Sequence, residues 1–335
     1  MKRRAFLVAT AMLATATRQP IAQQPAKMKR VASMHPTTKV EDQRIGSSDP
    51  VFTFLLEEMK RLGHVEGVNF VLDRYSAEGQ YDRNTEIAHN IVATRPDVIL
   101  SISDQVTSAL LSETGTIPIV AWTSDPIFAG FVTNLARPGG NVTGIGSFVD
   151  QAAIVGKRLQ LLAEAVGNLS NVRNLTTLSL DAKMKIIYEA AAEKLKITTF
   201  RYEQLQSPVD ETEYRRAFDA MRRDHVDAVS IGANTENFTH RVLLGRLARE
   251  YRLPAICWFS DSVEAGALMA YAHDVKAGAR RLGAQIVEIL NGGNPAEMPF
   301  FLETHWELVI NLKAAKELGL EIPPGLVARA DRLIE

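Results

Sequence analysis

Apolar residues along this chain recur in two alternating patterns: helical stripes of period about 3.6, and short unbroken apolar runs typical of buried strands. A run at 31–34 comes first. Asp49-Pro50 then supplies a helix cap followed by a first-turn proline; Phe52, Leu55, Leu56, Met59 and Leu62 share one helical face, and Gly63 ends it. Strands are predicted at 68–72, 98–102, 117–122 and 142–145, with helices over 87–92 and 106–113 between them. The rhythm then begins again. Leu159, Leu162, Ala163 and Val166 mark a helix, 172–178 a strand, and Met184, Ile187, Ala191 and Leu195 another helix. Strand 198–202, helix 210–222, strand 226–231, helix 238–251 and strand 254–258 follow. A helix through Leu282, Ile286 and Ile289 and one strand over 300–311 close the pattern.

Two successive runs of alternating elements predict an α/β protein of two Rossmann-like lobes, each a parallel sheet with helices on both faces. The expected division puts residues 28–147 and 272–300 in the first lobe, and 148–271 and 301–335 in the second. The turns at Gly139-Gly140-Asn141 and near Phe148 mark the first crossing between lobes, and the late elements are expected to return and cross again.

The first 22 residues follow another logic. Lys2, Arg3 and Arg4 precede a twelve-residue apolar run, Ala5 to Ala16, too short for a bilayer-spanning helix of about twenty residues. Ala14-Thr15-Ala16 and Ala22 offer small-residue cleavage positions, so residues 1–22 read as a removable export signal and the product as periplasmic. Arg3-Arg4-Ala5-Phe6-Leu7 resembles a twin-arginine pattern; a general secretory signal carrying two arginines fits equally. Removing the segment takes four of the 38 basic residues and none of the 39 acidic ones, which changes the formal charge from -1 to -5. Neither value favours a nucleic-acid partner.

Composition is ordinary for a globular chain of 335 residues, 46% hydrophobic and 23% charged. Cys257 is the only cysteine, which excludes an intrachain disulfide and a cysteine metal cluster. The seven histidines include no i, i+4 pair on one helix, so no metal site is expected. No phosphate loop, zinc-protease helix or serine-hydrolase elbow occurs, so neither a cofactor nor catalysis is expected.

What remains is a set of polar loops just past the predicted strand ends, the edge where open α/β sheets bind ligands. Ser103, Gln105, Thr123 and Asp125 stand there in the first lobe, Asp181 and Asn234 in the second. The loops after strands 98–102 and 226–231 run into helix starts, whose free amides favour a carboxylate. Asp125-Pro126 reads equally as a simple cap, and Ser103 and Asp104 as caps of the following helix. Trp122, Phe128, Tyr202, Trp258 and Phe259 are aromatic neighbours of these loops, with Trp122 and Trp258 reading as core and His35 as a solvated loop residue.

Several stretches resemble the ABC-transporter substrate-binding proteins whose relatives include tryptophan and tyrosine binders. The most specific is Leu135-Ala136-Arg137-Pro138-Gly139-Gly140-Asn141-Val142-Thr143-Gly144. Others are Leu62-Gly63-His64-Val65-Glu66-Gly67, Ile117-Pro118-Ile119-Val120 and Val263-Glu264-Ala265-Gly266-Ala267-Leu268-Met269. The resemblance implies a type I periplasmic-binding fold with three strand crossings as hinge. It implies a monomer that closes on a small molecule, an amino acid or carboxylate-like compound, and delivers it to an ABC permease with its ATPase. A ligand-sensing subunit for a membrane receptor is the alternative. Ser103, Gln105, Thr123, Asp125, Asp181 and Asn234 fall on the family's pocket loops. The chain departs from the family at Ser101-Ile102-Ser103-Asp104-Gln105 and at Leu180-Asp181-Ala182, which leaves the ligand open.

Overall fold

A computed structural model describes residues 28–147, 151–177 and 182–335. The expected export signal, the crossing residue Phe148, and Asp181 lie outside these residues.

The first run folds as β1 (Lys29–His35), α1 (Pro50–Arg61), β2 (Phe70–Ser76), α2 (Asn84–Ala93), β3 (Val98–Ile102), α3 (Asp104–Glu113), β4 (Ile119–Thr123) and β5 (Val142–Gly146). The second comprises α4 (Gln151–Val166), β6 (Asn171–Thr176), α5 (Ala182–Lys194), β7 (Thr199–Gln204), α6 (Glu211–Arg223), β8 (Ala228–Ile231), α7 (Thr235–Thr239), α8 (Arg241–Glu250), β9 (Ala255–Cys257), α9 (Ser260–Glu264) and β10 (Met269–His273). Then come α10 (Val275–Leu290), β11 (Phe301–Leu302), β12 (Trp306–Asn311), α11 (Leu312–Leu318), α12 (Pro324–Val327) and β13 (Arg332–Ile334).

Six strands form one sheet in the order β11-β5-β4-β3-β1-β2, and seven form another in the order β13-β12-β10-β9-β8-β6-β7. Every pairing is parallel except β10 with β12. This is the two-lobed type I periplasmic-binding fold. β3 is the clearest case of local determination: the run 98–102 is buried at every position, and its bounds are those predicted. Asp49 caps α1 as its sequence position requires, its side chain accepting from the Val51 amide at 2.9 Å.

Two expected elements are each split. The strand over 300–311 is two strands in different sheets: Phe301 and Leu302 pair with Ile145 and Gly146, whereas β12 pairs antiparallel with β10. Three polar residues, Glu303-Thr304-His305, carry the chain from one sheet to the other. The helix over 238–251 starts earlier, at Thr235, and breaks at His240, whose backbone leaves the helical region with φ -99° and ψ 17°. β10 has no counterpart among the predicted elements; Met-Ala-Tyr-Ala-His mixes small and polar side chains and shows no strong apolar run.

The chain changes lobe three times: after β5, between β10 and α10, and between β11 and β12. α10 packs on α1, filling one side of the first sheet with Leu282, Ile286 and Ile289 against Phe52, Leu55 and Met59. Ala272 and His273 pair within the second sheet, and Phe301 and Leu302 within the first; each pair stands on the other side of an expected lobe boundary.

Candidate functional site

Apart from β12 and β13, the strands of each sheet run in parallel to a common carboxyl edge, and loops from these two edges meet through Thr37 with Thr239 and Tyr81 with Glu236. Most of the expected site residues stand on them. Ser103, at φ +100°, caps α3 with its hydroxyl, which accepts from the Val106 amide at 3.3 Å. Gln105 is exposed on the first turn of that helix. Thr123 is buried at the end of β4 and donates to the Ile145 carbonyl at 3.3 Å. Asp125 accepts from the Ile127 and Phe128 amides, both at 3.0 Å and both on Oδ1. Asn234 accepts from the Asn237 amide at 2.8 Å, while its Nδ2, buried, has no hydrogen-bond partner among the described residues.

Asp104 and Ser124 draw the first-lobe loops together. The Ser124 amide donates to Asp104 Oδ1 at 3.0 Å, and the Ser124 hydroxyl closes onto the other carboxylate oxygen. Burial pushes the Asp104 carboxyl above its ordinary range; the two Ser124 bonds oppose that shift, and the nearby Asp125 charge adds to it. His35 is fully buried, where the sequence reading had it solvated. Its Nδ1 accepts from the Thr38 amide at 2.7 Å and the Thr37 amide at 3.1 Å, shaping the loop after β1. Burial lowers its pKa to about 4, with Asp49 pulling the other way, so the ring is neutral at pH 7.

The lobes are in direct contact through residues that sequence reading did not single out. Tyr81 follows β2 and donates its hydroxyl to Glu236 Oε1 at 2.5 Å, and Thr235 Oγ1 lies 3.0 Å from the Tyr81 hydroxyl oxygen. The hydroxyls of Thr37 and Thr239 lie 3.0 Å apart. Arg241 donates from the second lobe to the Ser48 carbonyl of the first at 2.9 Å while pairing with Asp261 at 2.7 Å. Their residue types were visible, but no local pattern announces a partner more than 150 positions away.

An aromatic floor lies where the chain crosses. Trp122 donates its indole N–H to Ser147 at 2.8 Å and meets the His273 ring edge-on at 5.8 Å. His273 in turn contacts Trp306 at 5.7 Å and Phe259 at 6.2 Å. Trp258 is 3% exposed and Trp122 only partly buried, so the core reading suits Trp258 better. Among the described residues no group of three or more His, Cys, Asp or Glu could hold a metal ion.

Asp125 gives a direct test of cap against contact. Asp125→Ala removes both loop bonds and is expected to cost about 1 kcal/mol of stability. Asp125→Asn keeps the Oδ1 acceptor and should restore most of that loss in a urea melt. A loss of ligand affinity in both variants, with stability intact, would instead make the carboxylate a ligand contact.

Comparison with known proteins places this geometry. Residues 47–334 match the family described as ABC transporter substrate binding protein. A tyrosine-binding protein of Clostridioides difficile (strain R20291) is 23% identical over 272 residues, covering 79% of this chain and 75% of that protein. Among solved structures, a conserved domain protein from Vibrio cholerae superposes with a TM-score of 0.77 at 24% identity, over 92% of this chain and 100% of the other. An ABC domain in complex with L-Trp from Streptococcus pneumonia gives 0.76 at 22% identity, over 92% and 100%. The ligand-free, open form of a substrate-binding protein from Clostridium difficile gives 0.59 at 22% identity, over 92% and 99%.

Proposed function

The chain belongs to the ABC transporter substrate binding protein family, and we propose that it captures a small molecule between its lobes and delivers it to an ABC importer. In this reading it acts outside the cytoplasm after removal of residues 1–22, as a monomer without catalysis of its own. The observation that carries the reading is the direct bonding of the two carboxyl-edge loop sets, Tyr81 to Glu236, Thr37 to Thr239 and Arg241 to Ser48. Such contacts exist only when the lobes are together, so anything bound between the edges would share in their stabilisation. The chain also superposes better on the L-Trp complex than on the open structure, at equal identity and equal coverage of this chain.

The ligand in this reading is an amino acid or a small carboxylate-like compound, recognised by Ser103, Gln105, Thr123, Asp125, Asp181 and Asn234. A thermal-shift screen of the chain from Gln23 onward against amino acids, aromatic acids, sugars and nucleobases tests it. A true ligand at a hundred times its Kd should add about 2.7 kcal/mol of stability, and small-angle scattering should then show a smaller radius of gyration. A tight ligand that leaves the molecular shape unchanged would contradict capture by closure.

A further inference from the structure

We propose that the second lobe carries a binding site apart from the cleft, which takes the phosphate group of a small organic phosphate between Arg246 and Arg252. The site is a cavity of about 520 Å³, walled by the last turns of α8 and α9 and by one side of α11. Arg252 and Gly266 line it, each shortly before a strand begins, β9 at Ala255 and β10 at Met269. The cavity therefore lies at the amino edge of the second sheet, opposite the loops that meet the first lobe. α8 spans that separation. Arg241 at its start reaches Ser48 of the first lobe, and Glu250 at its end lines the cavity, about 14 Å away at the helical rise.

Charge decides what the cavity can hold. Its ionic lining residues are Arg246, Arg249, Arg252, Glu250 and Glu317. Both carboxylates are already engaged: Glu317 takes a forked bond from Arg249, Nε and Nη2 each at 2.8 Å, and Glu250 pairs with Arg215 at 2.7 Å. Arg252 donates to the Glu317 main-chain carbonyl at 2.7 Å, and neither it nor Arg246 forms an ion pair with a carboxylate among the described residues. Two guanidinium charges are thus left without a counter-charge on the walls. The Glu317 carboxyl registers the excess. It is held below its ordinary range first by the Arg249 bond, against the effect of burial, and then by the charges of Arg249, Lys313 and Arg252. The helix ends oppose this only in part, since a carboxyl end carries roughly half a negative charge, confined to its last turn. At α8 the Tyr251, Arg252 and Leu253 amides already take the Leu247, Arg249 and Ala248 carbonyls.

A guanidinium presents its N–H donors as a planar fork that fits the oxygens of a phosphate or carboxylate. Two such groups match a dianion, and a phosphate monoester carries nearly two charges at neutral pH. The remaining space calls for more than a bare anion. A volume of about 520 Å³ is that of a small-molecule pocket, and Ala265, Ala314 and Leu318 give it apolar wall for a carbon body. Gly266 keeps the space open: at φ +125°, an added Cβ there would stand 3.0 Å from Arg249 Cβ. The site stands or falls independently of capture in the cleft.

The experiment is calorimetric titration of the full chain with glycerol 3-phosphate, phenyl phosphate and inorganic phosphate, with glycerol, phenol and succinate alongside. Co-sedimentation with phosphatidylglycerol vesicles, against phosphatidylcholine vesicles, asks whether a lipid can supply the phosphate. The expected result is one phosphate ester bound per chain, at least about threefold more tightly than inorganic phosphate, with no binding of glycerol or phenol. Arg246→Gln and Arg252→Gln should each weaken the ester about tenfold or more, the loss of one charge-assisted pair, and Arg252→Lys should weaken it less. Both arginines are exposed, so the melting midpoint without ligand should hold. Arg222→Gln, at an exposed ion pair on α6 outside the cavity, should change affinity by less than about twofold. Vesicle binding that Arg246→Gln abolishes would make the source a lipid headgroup, and binding of the soluble esters alone would make it a free compound; either supports the site. Equal affinity for succinate and the esters would overturn the phosphate class. Unchanged affinity in both glutamine variants, or no binding of any phosphate compound, would overturn the site itself.

Discussion

Replacing Arg158 with methionine is expected to cost about 3–5 kcal/mol of stability, because it leaves several buried carbonyls without a donor. Arg158 is 1% exposed on α4, beneath the second sheet. It donates to the carbonyls of Cys257 at 2.6 Å, Tyr271 at 3.0 Å, Ile256 at 3.2 Å and Ile231 at 3.3 Å, and lies 4.1 Å from the Trp258 ring centre. One guanidinium therefore ties together β8, β9 and β10. Burial lowers its pKa to about 10, which leaves it charged at neutral pH. Methionine fills much of the volume but offers no donor, and each buried carbonyl left unpaired costs about 1–3 kcal/mol. At roughly 2–4 °C per kcal/mol for a chain this large, a calorimetric melt should show a midpoint lower by roughly 6–20 °C. A shift below about 3 °C would mean that these carbonyls find other partners.

Gly144→Ala is expected to destabilise the first lobe by about 2–6 kcal/mol, combining overpacking with backbone strain. Gly144 sits in β5 at φ +151°, and a Cβ there would lie 1.9 Å from the Ala121 carbonyl oxygen on β4. The obstruction is backbone, so no side chain can turn aside to relieve it. Gly140→Ala is the control: nothing lies within 4 Å of its would-be Cβ, and a change within about 0.5 kcal/mol is expected. Urea melts of the two variants should therefore diverge, and similar midpoints would refute the clash.

The same stretch explains its own specificity. In Leu135 to Gly144, the run that most strongly carries the family resemblance, Asn141 donates to the Thr114 and Ile117 carbonyls at 3.2 and 2.8 Å. Thr143 donates to the Met298 carbonyl at 2.8 Å, tying β5 to the returning segment before β11. These residues build the lobe. A recognisable motif need not touch a ligand, and this one is scaffold by every bond it makes.

Read alone, the amino-acid order determined the alternation of elements, the cap at Asp49, the burial of 98–102 and the polar character of the loops past each strand end. These are local properties: side-chain periodicity and capping chemistry act within a few residues, so a short window holds the whole cause. The positions of Ser103, Thr123, Asp125 and Asn234 at or just past strand ends were legible in this way, because a strand end is a local event. The tertiary structure alone decided which lobe each late element joins, since β11 and β12 look like one strand until Glu303 to His305 carry the chain across. It also turned Arg158 inward, although it lies beside the apolar stripe of its helix. Finally, it brought Tyr81 to Glu236, 155 positions apart. That pairing depends on how two separately folded sheets meet, and no local window encodes their orientation.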